Sequence, residues 1–178
     1  MSETRKAKPR REREGFFSRF IQGTGIEIGC GRVGGYGIDL VEPSAIAHDQ
    51  DICDATEMTA YVDSSFDYAH ASHVLEHLWD PETAIQNWMR ILRTKGHLII
   101  CVPHKDLYER KPGLPSRWNG DHKRFYTPGS LLGEIERALA PLSYSLVYCK
   151  DLREGWVPVS PMTHASGEYS IECVLQKL

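Results

Sequence analysis

The apolar segment at residues 96–102 (GHLIICV) constrains the fold more than any other stretch of the sequence. A continuous apolar run of this length predicts a strand that is buried on both faces. Strands of this kind occur in parallel sheets that helices cover on both sides. The segment therefore predicts a sheet at the centre of a layered domain.

Strand-like and helical segments alternate along the chain. Strands are predicted at residues 25–29, 36–40, 46–48, 65–72, 96–102, 144–149 and 169–176, and helices at residues 16–21, 81–93 and 127–139. This alternation predicts an α/β fold with a doubly wound, mainly parallel sheet of the seven-strand, Rossmann-like type. The last two strands have no full helix between them, which predicts a late antiparallel edge strand.

The length and composition fit one globular domain. The chain has 178 residues, of which 41% are hydrophobic and 25% are charged. Residues 1–14 differ, because they contain six Lys or Arg, three Glu and no large apolar residue after Met1. We interpret residues 1–14 as a mobile basic tail and residues 15–178 as a single domain. A weak phosphate anchor is the alternative role for the tail.

Charge and cysteine usage exclude several classes of protein. A formal charge of −3 gives no strong nucleic-acid signal. Five scattered cysteines without a CxxC pair indicate a reducing compartment. Neither a membrane-spanning apolar run nor a signal core is present, so the cytoplasm is the expected location. The sequence leaves the oligomeric state open.

A glycine cluster follows the first predicted strand. The segment runs Glu27-Ile-Gly-Cys-Gly31, and glycine there lets the backbone approach a ligand closely. Asp39 ends the predicted strand at residues 36–40, where a carboxylate can accept hydrogen bonds from ribose hydroxyls. A GxG pattern is also common in ordinary turns, and such a turn remains the alternative.

Four motifs follow one another along the chain, EIGCG, GIDL, DICDATE and SFDYAHASHVLEHLWDPETAIQNWMRILRTKGHLIICVP. Their order resembles that of the class I S-adenosylmethionine-dependent methyltransferases. The resemblance covers residues 25–140 and is strongest to the small-molecule and glycan branch. It implies S-adenosylmethionine as the cofactor. The implied cofactor-binding residues are Glu27, Gly29, Cys30 and Gly31 around the methionine moiety, Asp39 and Leu40 at the ribose, Asp54 and Ala55 at the adenine edge, and Ser72 and His73 at the floor of the pocket.

One feature departs from this family pattern. Only residues 32–35 separate the predicted strands at residues 25–29 and 36–40, whereas a parallel crossover usually needs at least ~10–12 residues. Either the linking helix is reduced to a loop, or the strand boundaries differ from these. A shortened link predicts that the two strands remain parallel neighbours.

Two of the eight histidines have metal-ligand spacing. His73 and His77 are four residues apart, as in the HExxH zinc motif, but Glu76 is displaced from the position of that motif's glutamate. We therefore expect no metal site, and a structural or cofactor-lining role for these histidines. Zinc binding is the alternative.

The polar segment after the buried strand holds the candidate catalytic residues. Ligands of doubly wound sheets bind beyond the carboxyl ends of the strands, so residues 103–126 should overhang the reaction centre. We expect His122 to act as a general base, with His104 as a second candidate and Asp121 as an orienting carboxylate. The alternative is that Asp121 caps a turn and His122 packs under it.

The predicted function is methyl transfer to a small polar acceptor. The segment WNGDHKRFYTP resembles one found in methyltransferases of surface-glycan synthesis, which favours O- or N-methylation of a sugar or a surface-glycan precursor. The alternative is a non-catalytic module that binds S-adenosylmethionine or S-adenosylhomocysteine. A nucleotide-binding oxidoreductase is a second alternative, because Gly29, Gly31 and Gly34 have the spacing of GxGxxG, and the order of the later motifs disfavours it.

Overall fold

A six-stranded sheet organises the chain, and the computed structural model describes residues 2–33 and 37–178. The strands are β1 (Gly25–Ile28), β2 (Ile46–His48), β3 (Phe66–Ser72), β4 (Leu92–Pro103), β5 (Tyr144–Asp151) and β6 (Ser170–Lys177). The α-helices are α1 (Glu3–Arg13), α2 (Phe16–Phe20), α3 (Pro81–Arg90) and α4 (Pro128–Ala138), with a 3₁₀ turn at Leu75–His77 and a π-helical turn at Lys105–Glu109.

The strand order is β2-β1-β3-β4-β6-β5. The pairs β1–β2, β1–β3 and β3–β4 are parallel, while β6 is antiparallel to both β4 and β5. The mixed α/β sheet is confirmed, with six strands in the described residues rather than seven. The last two strands pair antiparallel with each other, with β5 at the edge of the sheet and β6 inside it. The first six residues of β6 are buried, which favours an internal position, whereas β5 is largely half-exposed or exposed.

The predicted strand at residues 36–40 is not part of this sheet. Residues 34–36 lie outside the described residues, and residues 37–40 have no regular structure. The strand that follows β1 in sequence and pairs with it in parallel is β2, and the link between them runs over residues 29–45. The prediction of a shortened link is therefore wrong, and the strand boundary was the source of the discrepancy. A link of this length satisfies the geometric requirement of a parallel crossover.

Helices pack on both faces of the sheet. On one face, α3 begins at the N-cap Asp80, whose side chain accepts the Thr83 N–H, and it buries Trp88 completely. On the other face, Phe16 and Phe20 of α2 pack against sheet residues. Burying each large apolar side chain of this kind stabilises the fold by about 1.5–3 kcal/mol. The helices on the two faces hold the sheet in place. The candidate site lies at the edge formed by the carboxyl ends of the parallel strands.

The predicted mobile tail is a helix, so this prediction is wrong for residues 3–13. Arg10 and Arg11 of α1 are buried, with 3% and 1% of their surface exposed. Arg10 Nε donates to Glu168 at 2.9 Å, and Arg11 Nε donates to Glu172 at 2.8 Å. These buried carboxylates compensate the two guanidinium charges, which the composition of residues 1–14 alone does not reveal.

Among the described residues, none of the helices combines the length and the apolar character that crossing a membrane requires.

Candidate functional site

The glycine loop (residues 29–31) follows β1 and turns tightly. Gly29 and Gly31 have φ values of 70° and 80°, in the left-handed region that favours glycine. The Gly29 N–H donates to the carbonyl oxygen of His48 at 2.9 Å. A Cβ atom on Gly29 would lie 2.3 Å from Val74 Cγ2. Glycine is therefore required at position 29 by both conformation and space.

A cavity opens on each side of this loop. The helix-side cavity, of about 370 Å³, is lined by Ser2, Glu3, Thr4, Arg5, Glu27, Gly29, Cys30, Gly31, Gly37, Asp39, Ser72 and His73. The histidine-side cavity, of about 420 Å³, is lined by Gly29, Gly31, Val33, His48, Asp49, Gln50, Asp54, Ala55, His73, Val74, His77, Leu78, Asn119 and Asp121. The two cavities share Gly29, Gly31 and His73, so they meet at the glycine loop.

The structure brings nine of the ten predicted cofactor-binding residues to these cavities. The helix-side cavity contains Glu27, Gly29, Cys30, Gly31, Asp39, Ser72 and His73, and the histidine-side cavity adds Asp54 and Ala55. Leu40 instead lines a third cavity, which lies between α1 and residues 38–43. Asp39 lines the helix-side cavity as well as this third one.

The carboxylate of Asp39 is already engaged with α1. Arg5 Nε donates to Asp39 Oδ1 at 3.0 Å, and the Ser2 hydroxyl donates to Asp39 Oδ2. Ser2 is also the N-cap of α1, where its side chain accepts the Arg5 N–H. Asp39, the residue predicted to bind ribose, therefore holds the start of α1 against the helix-side cavity through hydrogen bonds.

Asp49 is a site residue that the sequence analysis missed. It directly follows β2, and its Oδ2 accepts the Val33 N–H at 3.2 Å. An acidic residue at the carboxyl end of the strand beside β1 has the placement expected for a ribose-binding carboxylate. The sequence did contain a sign of this role, because Asp49 comes directly after the short strand predicted at residues 46–48.

Glu27 lies at the end of a buried chain of polar contacts. Its Oε1 is 2.7 Å from His70 Nδ1, and its Oε2 accepts the Val41 N–H at 2.9 Å. Arg11 Nη2 lies 2.9 Å from His70 Nε2. Because a guanidinium can only donate, His70 Nε2 accepts and the proton on Nδ1 points to Glu27. Glu27 thus lines the helix-side cavity with both oxygens bonded to the protein.

Histidines and carboxylates form the far wall of the histidine-side cavity. Asp121 Oδ2 lies 3.3 Å from His77 Nδ1, so the predicted orienting carboxylate faces His77 rather than its neighbour His122. The His122 ring is buried, and its Nδ1 lies 2.9 Å from Glu109 Oε1. Burial, and then the neighbouring His77, lower the pKa of His122. The rings of His77 and His122 are 4.9 Å apart.

His104 lies apart from the other predicted catalytic residues. Its side chain is buried, its Nδ1 accepts the Asp106 N–H at 3.0 Å, and its Nε2 is 3.7 Å from Asp151 Oδ1. The structure thus brings Asp121 and His122 together through His77, while His104 lies near the carboxylate of Asp151 instead.

Comparison with known proteins identifies the family. The sequence profile of a family described as "Methyltransferase domain" matches residues 2–138. An O-methyltransferase of Aspergillus sclerotiorum is 31% identical over 100 residues, covering 56% of this chain and 37% of that protein. A protein of Mycobacterium tuberculosis named "Probable S-adenosylmethionine-dependent methyltransferase" is 30% identical over 118 residues, covering 56% of this chain and 42% of that protein. The matches span less than half the length of these two curated relatives.

Solved methyltransferase structures share the fold. The 1,6-didemethyltoxoflavin-N1-methyltransferase of Burkholderia thailandensis, solved with S-adenosylhomocysteine, has a TM-score of 0.61 and 18% identity and covers 99% of this chain and 78% of that chain. A methyltransferase of Thermotoga maritima has a TM-score of 0.56 and 16% identity over 100% of both chains. At these identities the likeness shows the fold alone. The profile match covers more than half of the chain, and on this basis the chain belongs to the methyltransferase domain family.

Proposed function

We propose that the protein is an S-adenosylmethionine-dependent methyltransferase that acts on a small polar acceptor, with a sugar or a surface-glycan precursor as the favoured class. The observation that carries this proposal is the meeting of two cavities at the glycine loop, with carboxylates on both sides of it. The names of the sequence relatives, and the S-adenosylhomocysteine in the Burkholderia thailandensis structure, support the choice of cofactor.

The residues around the glycine loop fit this cofactor. Asp39 on the helix side and Asp49 on the histidine side offer carboxylate oxygens to the ribose hydroxyls. Asp54 and Ala55 line the region proposed for the adenine, and Gly29 leaves room for close backbone approach. The cofactor, when bound, supplies an electrophilic methyl group on a positively charged sulfur. Nearby carboxylates stabilise such a charge.

The acceptor is proposed to bind at the wall formed by His77, Asn119 and Asp121. This wall presents an imidazole, an amide and a carboxylate to the histidine-side cavity, a set that suits an acceptor with several hydroxyl groups. Catalysis would come mainly from proximity and orientation of the acceptor. Asp121, 69% exposed, is the predicted catalytic residue on the cavity surface, whereas His122 acts through its contact with His77.

The protein is further proposed to work in the cytoplasm. Its five cysteines are all free thiols, which fits a reducing compartment. The proposed partner is a small-molecule acceptor rather than a nucleic acid, in line with the net charge of −3.

Calorimetry with S-adenosylmethionine and S-adenosylhomocysteine tests the cofactor assignment. Asp39→Ala and Asp49→Ala should each weaken binding by about 5- to 150-fold, because each change leaves cofactor hydroxyls without a hydrogen-bond partner in the complex. Glu136→Ala, an exposed change on α4, is the matched control and should leave the affinity unaltered. Absence of binding, or a preference for NAD, contradicts the proposal and favours the oxidoreductase alternative.

Mass spectrometry tests catalysis separately from binding. The protein is incubated with S-adenosylmethionine and a panel of saccharides and nucleotide sugars, and products heavier by one methylene unit are sought. A methylated product that is lost with Asp121→Asn supports the proposed acceptor wall. Tight cofactor binding without turnover of any saccharide or other small polar acceptor instead supports the non-catalytic binding module.

A further inference from the structure

Three side chains with metal-ligating atoms converge behind the wall of the histidine-side cavity. Glu76, His77 and His122 each offer one ligand atom, and these atoms lie within 4.8 Å of one another. Glu76 and His77 belong to the 3₁₀ turn after β3, whereas His122 comes from the loop after β4. The Lys123 N–H donates to the Glu76 carbonyl oxygen at 2.8 Å, so the backbone holds the two segments together.

Glu76 is an unpaired carboxylate in the interior. None of its surface is exposed, and neither of its oxygens has a hydrogen-bond partner among the described residues. A buried carboxylate without partners is costly, so such groups are normally paired or coordinate a metal.

Imidazole nitrogens surround this carboxylate at distances too long for hydrogen bonds. Glu76 Oε1 lies 3.7 Å from His73 Nδ1, 3.8 Å from His77 Nε2 and 4.0 Å from His122 Nε2. In a tetrahedral zinc site, with metal–ligand distances of about 2.0–2.1 Å, ligand atoms are about 3.4 Å apart. The observed spacings of His77 and His122 from Glu76 are therefore within a small side-chain rotation of a coordinating geometry.

The outer nitrogens of both histidines face carboxylates. His122 Nδ1 lies 2.9 Å from Glu109 Oε1, and His77 Nδ1 lies 3.3 Å from Asp121 Oδ2. The His122 contact is of the kind that metal-ligating histidines make through their second ring N–H, which fixes the tautomer with a free Nε2. His77 Nδ1 lies near Asp121 without a hydrogen bond to it. Both Nε2 atoms are thus the ones nearest Glu76.

We propose that Glu76, His77 and His122 bind one divalent transition-metal ion of the zinc class. This site departs from the expectation that the chain has no metal, and it uses Glu76 and His122 in place of the His73–His77 pair considered from the sequence. Because a ligated Nε2 does not accept a proton, it also replaces the general-base role predicted for His122.

The site would lie at the acceptor wall, since His77 also lines the histidine-side cavity. There the ion would bind an acceptor oxygen and lower the pKa of its hydroxyl. This last role rests on the proposed function, whereas metal binding itself does not.

Titration of the chelator-treated full chain with Zn²⁺ alone tests the proposal. Calorimetry should give one equivalent bound, and Co²⁺ should give the visible absorption of a four- or five-coordinate ion. Glu76→Gln and His122→Ala should abolish this binding. Glu109→Gln, an isosteric change outside the ligand set, should weaken it by about 10- to 100-fold. His97→Ala, which removes a half-buried histidine of β4, is the control and should bind as the wild type does.

The outcomes separate this proposal from the proposed function. Failure of the wild type to bind Zn²⁺ overturns the metal site, as does equal binding by the wild type and the folded Glu76→Gln and Glu109→Gln variants. Circular dichroism establishes that each variant is folded. S-adenosylhomocysteine binding is measured on the same metal-free samples, so a chain that binds the cofactor but no metal refutes the metal site alone. A chain that binds metal but no cofactor refutes the proposed function alone.

Discussion

Replacing Glu172 with glutamine should be among the most destabilising isosteric changes in this chain. Glu172 has none of its surface exposed and accepts from two guanidinium groups of α1, Arg10 Nη2 at 3.0 Å and Arg11 Nε at 2.8 Å. Burial by itself would lower the pKa of Arg10, but Glu172 and then Glu168 raise it above its ordinary value. Glutamine preserves the volume of the side chain, so the change removes the charge and creates no cavity.

The expected loss of unfolding free energy depends on which arginine keeps a carboxylate partner in the variant. Arg10 retains Glu168, whereas Arg11 loses the carboxylate it contacts, and removing one partner of a buried ion pair costs about 3–5 kcal/mol. Typical domains have an unfolding free energy of about 5–15 kcal/mol, so the loss is a large fraction of the total. With a urea m-value near 2 kcal/mol/M, the unfolding midpoint should fall by about 1.5–2.5 M, as measured by tryptophan fluorescence.

Glu154→Gln is the matched control for this measurement. It breaks the pair between Arg13 and Glu154, whose side chains are 58% and 51% exposed, and exposed pairs contribute at most about 1 kcal/mol. Adding Arg11→Met to Glu172→Gln should recover part of the lost stability, because it removes the uncompensated charge. Equal midpoints for Glu172→Gln and Glu154→Gln would refute the argument that buried ion pairs hold α1 in place.

Two further predictions concern the glycine loop and the acid stability of the fold. Gly29→Ala should abolish S-adenosylhomocysteine binding in calorimetry, because its Cβ would overlap Val74 and the left-handed φ would be strained; unchanged affinity would contradict the proposed cofactor site. Asp67 has a lowered pKa, owing first to its hydrogen bond from Arg93 and then to the Thr24 N–H. Its contribution to stability is therefore full above the unfolded-state pKa of about 3.9 and is lost as the pH falls through the lower folded value. The difference in urea midpoint between wild type and Asp67→Asn should shrink over that range, and a difference independent of pH would contradict this assignment.

Periodic apolar patterns predicted the elements that pack directly on the sheet. The helix expected at residues 81–93 forms at Pro81–Arg90, and the strand expected at residues 96–102 forms the carboxyl-terminal half of β4. The helix has a periodic apolar face and the strand a continuous apolar run, and neither local signal depends on distant contacts. β4 begins earlier than predicted because Leu92 already pairs with Phe66 of β3, before an irregularity in the register that precedes the pair of Tyr68 and His97.

Contacts between residues distant in sequence were not predictable in the same way. The charges of residues 1–14 predicted a mobile tail. The carboxylates that compensate Arg10 and Arg11 are Glu168 and Glu172, more than 150 residues later in the sequence, so the local composition does not reveal them. In the candidate site, adjacency of Asp121 and His122 suggested a pair, yet their side chains diverge toward His77 and Glu109. The direction of a loop side chain depends on tertiary packing, which the order of residues does not encode locally.

The contact between Arg11 and Glu172 joins positions 161 residues apart, and this separation has a consequence for biosynthesis. A ribosome that adds about 5–20 residues per second needs about 8–32 s to cover the interval. Throughout that time the guanidinium groups of α1 lack their carboxylate on β6 and remain hydrated. The buried ion pairs of Arg10 and Arg11 therefore form only after β6 has been translated, later than the contact that Arg5 makes with Asp39.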